Sequence, residues 1–430
     1  MSRLEKYPKY KDSGVEWLGE IPEGWELTRL GAKFIERKEK VSDKDYAPLS
    51  VTKNGIVPQL ENAAKTNDGD NRKLVKKGDF VINSRSDRKG SSGISYFDGS
   101  VSLINIVLKP NGLYPKFCNY LLKSNSFVEE YYRNGHGIVA DLWTTRYWDM
   151  KSIILGIPPL QEQQKNTNYL DKKTAQIDNA ISLKEQMIER LKERRQIIIN
   201  DTVTKGLDKN VKMKDSGVEW IGKIPEYWEV EKLFGLCNFI RGNSSFSKDE
   251  LLNIGKYIAL QYGKTYKVSE IDEKYKFYVN DEFYKSSQIV NFGDTIFIST
   301  SETIEDLGHS AYYKRKDLGL LGGEQILLKP KVETIESKYL YFSSKVFSKE
   351  LKKFATGIKV FRFNIDDLKT IYIPIPPKEE QKQIVEYIEN QTLKIDNAIN
   401  LQHKQIDKLK EYKTTLIDSV VIGKVRICDD

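Results

Sequence analysis

Internal duplication constrains this chain more than any other feature. Residues 157–163 read Ile-Pro-Pro-Leu-Gln-Glu-Gln, and residues 375–381 read Ile-Pro-Pro-Lys-Glu-Glu-Gln. Each opens a long polar stretch, and the two stretches align without a gap at an offset of 218 residues. Both carry the alternating 3-4 spacing of a coiled-coil seam. In the first, the seam positions are Leu170, Thr174, Ile177, Ile181, Lys184, Ile188, Leu191, Arg195, Ile198 and Thr202. In the second, they are Ile388, Thr392, Ile395, Ile399, Gln402, Ile406, Leu409, Lys413, Leu416 and Val420. The polar interruptions coincide: Thr174 with Thr392, Lys184 with Gln402, Arg195 with Lys413. Two duplicated helices with matching interruptions are expected to pack on each other through their apolar members.

The helix limits are also legible. Pro158-Pro159 and Pro376-Pro377 suit a helix start, where a missing N–H costs nothing. Gly206 and Gly423 suit the C-terminal stops. From Leu170 to Thr202 such a helix spans roughly 50 Å at about 1.5 Å per residue. The first helix must lead out of one globule into the next, and the second must run back. The expectation is an antiparallel pair with a globule at each end and an approximate two-fold axis.

A second duplication precedes each globule. Residues 11–27 read KDSGVEWLGEIPEGWEL and residues 214–230 read KDSGVEWIGKIPEYWEV, identical at thirteen of seventeen positions. Trp17, Trp25, Trp220 and Trp228 are expected to pin each globule to a helix base, since a buried indole usually packs. The regions that follow differ. Val75–Ile82 and Val290–Phe297 each read as a Gly-Asp turn feeding a strand. Val107-Leu108-Lys109-Pro110 and Leu327-Leu328-Lys329-Pro330 read as strands ending at proline. Helices are expected from Pro115 to Tyr132 and from Glu336 to Phe354. Each is followed by a glycine loop, Gly135-His136-Gly137-Ile138 and Thr356-Gly357-Ile358. The fold class is therefore α+β: two mixed α/β globules separated by an antiparallel two-helix coiled coil.

Composition sets outer bounds. The apolar fraction of 39% suffices for ordered cores, and a net charge of +8 is compatible with a polyanionic partner. No apolar run approaches the ~20 residues of a membrane span. The start, Met-Ser-Arg-Leu-Glu-Lys-Tyr-Pro, has no apolar signal core, so a cytoplasmic location is expected. Cys118, Cys237 and Cys428 are too scattered for a disulfide framework or a zinc site.

On the doubled Ile-Pro-Pro-x-x-Glu/Gln-Gln starts, the Ile-Asp-Asn-Ala-Ile segments at 177–181 and 395–399, and the paired SGVEWxGxIPxxW motifs, the chain resembles the specificity subunits of type I restriction-modification systems. The resemblance covers essentially the whole chain. It implies target recognition domains at residues 1–157 and 207–375, and conserved helices at 158–206 and 376–430. It implies that each globule reads one half of a split duplex DNA sequence. It also implies that the coiled coil sets the gap and docks two methyltransferase subunits, through which restriction subunits join. The residues support this independently. A pseudo-symmetric rod with two dissimilar readers is a ruler, and at about 3.4 Å per base pair it spans about one to one and a half turns of duplex.

DNA contacts call for Lys or Arg against phosphate and for Arg, Asn and Gln at base edges. In the first globule the candidates are Lys53 and Asn54, then Arg85, Arg88 and Lys89, then Arg146 and Tyr147. The loop Ser84–Lys89 leads, being polar, basic and closed by Gly90. In the second globule they are Tyr262 and Lys264, then Lys359 and Arg362. The loop matching Ser84–Lys89 there is acidic, around Glu302, and suits accepting a hydrogen bond from cytosine. For each of these, a merely solvated side chain is the competing reading.

Catalytic readings fare poorly. Neither Pro-Pro pair lies in the Asn/Asp-Pro-Pro-aromatic tetrapeptide of an amino-methyltransferase. No phosphate-binding glycine loop followed by Lys occurs. His136, His309 and His403 do not fall at metal-ligand or triad spacing. No catalytic residue, metal or cofactor is expected. Two other classes stay open: an enzyme with an unrecognised site, and a coiled-coil scaffold without sequence-specific DNA binding.

Overall fold

The computed structural model describes residues 3–61, 68–137 and 143–428. Ile138 of the first glycine loop lies outside them. The chain divides into two compact units, residues 1–185 with 403–430, and residues 186–402. The dividing points fall inside two long helices, Leu160–Lys205 and Lys378–Val421.

Each helix start is built from the repeated heptapeptide. In the first unit Gln163 is buried; its amide donates to the Pro158 carbonyl at 2.9 Å and its oxygen accepts from the Tyr114 N–H at 2.9 Å. In the second, Gln381 is buried; it donates to the Pro376 carbonyl at 2.9 Å and accepts from the Glu336 N–H at 2.7 Å. The glutamine thus ties each long-helix start to the start of the neighbouring helix at 115 or 337 and pairs a backbone carbonyl and an N–H with its buried amide. The preceding glutamate takes the tryptophan. Trp25 Nε1 donates to Glu162 at 3.1 Å, and Trp228 Nε1 donates to Glu380 at 3.1 Å. Both indoles are buried.

The same tryptophans meet the end of the other helix. Gly206 and Gly423 stop the two helices at φ of +75° and +79°, the left-handed region that glycine favours. A Cβ at Gly206 would approach Trp228 to 3.1 Å, and one at Gly423 would approach Trp25 to 3.2 Å and Pro22 to 2.4 Å. Trp25 and Trp228 therefore anchor as expected. Trp17 and Trp220 are only half-buried, each packed against its unit's core, and Trp17 lies edge-on to Phe127 at 6.2 Å.

The strands expected from sequence form the centre of each globule. In the first unit an antiparallel sheet runs Ser92–Ile94, Phe80–Asn83, Asn105–Pro110, Phe34–Glu36. Alternate residues go to opposite cores: Phe80, Ile82, Ile106 and Leu108 to one, Val81 and Val107 to the other. Burial on both faces explains why these strands read as unbroken apolar runs. In the second unit the corresponding sheet runs Cys237–Arg241, Gln325–Pro330, Thr295–Ile298, Ser310–Tyr313, Glu270–Ile271, and the same alternation recurs at Ile326, Leu327 and Leu328.

The Gly-Asp turns have a clear chemistry. Asp79 accepts from the Lys76 N–H at 2.8 Å and from Arg37 at 2.7 Å. Asp294 accepts from the Asn291 N–H at 2.8 Å and from Lys329 at 2.8 Å. One helix expectation needs correcting. Residues 115–132 form two helices, Pro115–Lys123 and Asn125–Arg133. Ser124, at ψ of 146°, breaks the run and caps the second by accepting from the Phe127 N–H.

The seam also holds within each unit. In the first, Leu170, Thr174, Ile177, Ile406, Leu416 and Val420 are buried, while Ile181, Lys184, Leu409 and Lys413 are half-buried. In the second, Ile188, Thr202, Ile388 and Ile395 are buried, while Leu191, Arg195, Ile198, Thr392, Ile399 and Gln402 are half-buried. Polar seam residues find carboxylate or amide partners across it. Lys413 bonds Asp178 at 2.7 Å and Lys184 bonds Gln405, an antiparallel pairing. Arg195 bonds Asp396 at 2.8 Å. Near Ile199 and Val203, both buried, the seam shifts by one position, as expected when a 3.6-residue turn follows a 3.5-residue repeat.

Candidate nucleic-acid interface

In both units the strand after the Gly-Asp turn exits into the same three-segment arrangement. In the first unit the Thr145 N–H donates to the Ser84 carbonyl at 2.9 Å. Thr144 bridges to Arg85 on one side and to His136 on the other. Two tyrosines hold the segments from below. Tyr131 donates to the Thr145 carbonyl at 3.0 Å, and Tyr132 donates to the Arg85 carbonyl at 3.3 Å. Burial pushes the Tyr132 phenol up to about 12, so it remains a donor at neutral pH.

In the second unit the Phe363 N–H donates to the Ser299 carbonyl at 3.2 Å. Strand Thr300–Ser301 pairs with Phe361–Arg362, and Arg362 bridges to Thr356. The correspondence is positional: Ser84 with Ser299, Arg85 with Thr300, Thr144 with Arg362, His136 with Thr356. The exposed arginine stands on the exit strand in one unit and on its neighbour in the other.

The first-unit arrangement borders a groove of about 500 Å³ lined by Arg85, Arg146, Tyr147 and Trp148. Arg85 and Arg146 are exposed, whereas Tyr147 is half-buried and spends its hydroxyl on the Phe34 carbonyl at 2.9 Å. That tyrosine can offer a ring edge to a ligand, with its hydroxyl already engaged. Lys53 and Lys89 line a different groove, of about 450 Å³. Lys89 is paired with Glu129 at 2.6 Å, and Arg88 stands 3.6 Å from Asp87. Asn54 is exposed in a turn closed by Thr52.

In the second unit Tyr262 stacks on Tyr266 with centroids 6.2 Å apart. Burial raises its phenol, and the charges of Glu302, Asp306 and Glu324 add to the shift, which puts Tyr262 beside the acidic loop. Lys264 lies over the Phe277 ring at 4.6 Å and borders a separate groove. Lys359 and Arg362 are exposed on the glycine loop and its return strand.

Three residues were missed by sequence reasoning. Trp148 is 74% exposed, with the Lys151 amine 3.1 Å from its ring centroid. Ile358 is 96% exposed. Glu324 is the one non-glycine residue with positive φ, +60°, among the described residues; its carbonyl accepts from the Ser299 N–H at 3.2 Å. The first two carried a signal, an apolar residue amid basic neighbours close to a glycine loop. The third carried none. Cys118 and Cys237 are core residues whose thiols burial pushes up to about 12.

A family model described as the type I restriction modification DNA specificity domain matches residues 225–411. Two proteins of Methanocaldococcus jannaschii align along most of the chain. The putative type I restriction enzyme MjaX specificity subunit is 24% identical, over 95% of this chain and 96% of its own length. The type I restriction enzyme MjaVIII specificity subunit is 26% identical, over 95% and 94%. Along nearly its whole length the chain is similar to type I restriction-modification specificity subunits. Solved structures share the fold. A chain from a type I restriction-modification assembly superposes with a TM-score of 0.72 at 15% identity, covering 94% of this chain and 99% of that one. The HsdS subunit of Thermoanaerobacter tengcongensis gives 0.55 at 16% identity, covering 94% and 98%. No helix of the described residues is long and apolar enough to cross a membrane.

Proposed function

We propose that this subunit reads a bipartite, asymmetric duplex site. Residues 1–157 read one half and residues 207–375 the other. The segments 158–206 and 376–430, each built on one long helix, fix the spacer and carry two methyltransferase subunits, and restriction subunits join through these. The subunit works in the cytoplasm without a cofactor and without chemistry of its own. The observation that carries this reading is the repeated three-segment arrangement with its arginine moved. One backbone frame presents Arg85 in one unit and Arg362 in the other. A reader needs a fixed frame and interchangeable side chains, and an arginine bidentate to guanine is the commonest base-specific contact.

Methylome sequencing of cells expressing the subunit with its methyltransferase tests the proposal. It should return two unlike half-sites at a fixed spacing. Adding seven residues to each long helix should lengthen the spacer. Arg85→Ala should relax or weaken one half-site and Arg362→Ala the other, each by roughly ten- to hundredfold. A spacer unchanged by the insertion would rule out the ruler. Methylation without sequence preference would favour the scaffold reading.

A further inference from the structure

The glycine loop of the second unit is a closed, narrow ribbon with an unusual tip. The Thr356 N–H donates to the Arg362 carbonyl at 3.0 Å, and the Arg362 N–H returns a bond to Thr356 at 2.9 Å. Gly357 makes the turn possible: its φ is +116°, and a Cβ there would fall 2.0 Å from the Val360 carbonyl oxygen. The base of the ribbon is tied to Thr300–Ser301 by strand pairing. Ile358 stands at the tip, 96% exposed, with exposed Lys359 beside it and exposed Arg362 at the base. A β-branched apolar side chain held wholly in water on a pinned turn gains nothing from the fold. Basic neighbours make a protein or lipid-tail partner a poor match and a polyanion a good one.

We propose that this ribbon enters the major groove of the second half-site and that Ile358 packs on a thymine 5-methyl group there. The inference rests on the DNA-reading function above. The roughly 12 Å major groove admits a β-ribbon, and this loop is carried by one, the paired strands Thr300–Ser301 and Phe361–Arg362; thymine is the base that offers an apolar group on that edge. Lys359 and Arg362 then face phosphate or guanine. Ile358 is a specificity-determining residue of the second unit, and its contact is sequence-specific without a hydrogen bond.

The test uses the complex of this subunit with its methyltransferase on the site identified by methylome sequencing. Each thymine of the second half-site is replaced in turn by uracil, which removes only the methyl. One position should lose roughly three- to tenfold in affinity, the worth of one or two buried methyl groups. In the Ile358→Ala complex that loss should shrink below twofold, while the affinity for the uracil site stays close to that of the unmutated complex. Because Ile358 packs on nothing, the variant folds; its circular dichroism and melting temperature serve as the control. Normal specific binding with no uracil-sensitive position, or a uracil effect that persists in Ile358→Ala, overturns this inference alone. Loss of sequence-specific, salt-sensitive binding in the unmutated complex overturns the parent reading with it.

Discussion

The two units share a backbone at their exit strands and differ in almost every side chain that stands on it. What is held constant is instructive. Ser84 and Ser299 take part through their carbonyls, and Thr145 and Phe363 through their N–H groups. Such bonds are blind to side-chain identity, so the frame survives while Arg85, Thr144, Thr300 and Arg362 vary. The helix bases behave in the opposite way. There Trp25 and Trp228, Glu162 and Glu380, and Gln163 and Gln381 bond through their side chains, and the same residue types stand in both units. Side chains that bear the architecture repeat; side chains that face outward do not.

The largest effect should come from breaking that anchor. Trp25→Ala and Trp228→Ala each empty a site enclosed by a helix start and a helix-ending glycine, and each takes one donor from a half-buried carboxylate, Glu162 or Glu380. Losses of about 3–5 kcal/mol are expected in either case. Hydrogen exchange on the sheet strands of the affected unit reads the loss. A cost below about 1 kcal/mol in one unit only would show that the anchor is not shared.

The next contrast separates the units. Lys116 bonds Asp171 at 2.9 Å with half of its side chain exposed. Lys338 occupies the corresponding place, with its side chain only 10% exposed, and bridges Glu270 at 3.0 Å and Glu389. Exposed pairs are worth about 0–1 kcal/mol, whereas breaking a buried one costs several. Because Glu270 and Glu389 keep 31% and 46% exposure, Lys338→Ala should destabilise the second unit by about 1–2 kcal/mol, and Lys116→Ala should leave the first nearly unchanged. Equal effects, measured by the same exchange experiment, would mean that burial does not separate the two clamps.

Much of this was legible in the sequence because it is written twice. The seam, the proline starts, the stopping glycines and the Gly-Asp turns each occur at matched positions, and each rests on local chemistry. The break at Ser124 was not legible, since the apolar spacing of Phe117, Leu121, Phe127 and Tyr131 continues across it and the serine's cap depends on backbone geometry. At the interface, sequence supplied Arg85, Arg146, Lys359 and Arg362 as basic loop residues. It could not say that Lys89 would be paired with Glu129, or that Tyr147 would spend its hydroxyl on Phe34. Those are contacts between residues 40 and 113 positions apart. Nor could it say that the arginine had changed strands, because that needs the register between three segments.

The smallest effect expected is at the seam, where the units are alike. Arg195 pairs with Asp396 in one and Lys413 with Asp178 in the other, and the two pairs occupy equivalent places. All four side chains are about one-third to one-half exposed. Each pair should contribute under about 1 kcal/mol and fade as salt is raised. Replacing Arg195 and Lys413 together by leucine adds apolar area to the seam and removes two ion pairs, so the melting temperature should change by only a few degrees. Partner choice should change more. A polar residue at a seam position fixes register at some expense of stability, because a shifted or intermolecular pairing would bury it unmatched. The Arg195→Leu/Lys413→Leu protein should therefore form dimers or higher species in sedimentation, with heat stability intact. If it stays as monodisperse as the unmutated chain, the pairs are solvated decoration, and register is set by the tryptophan anchors alone.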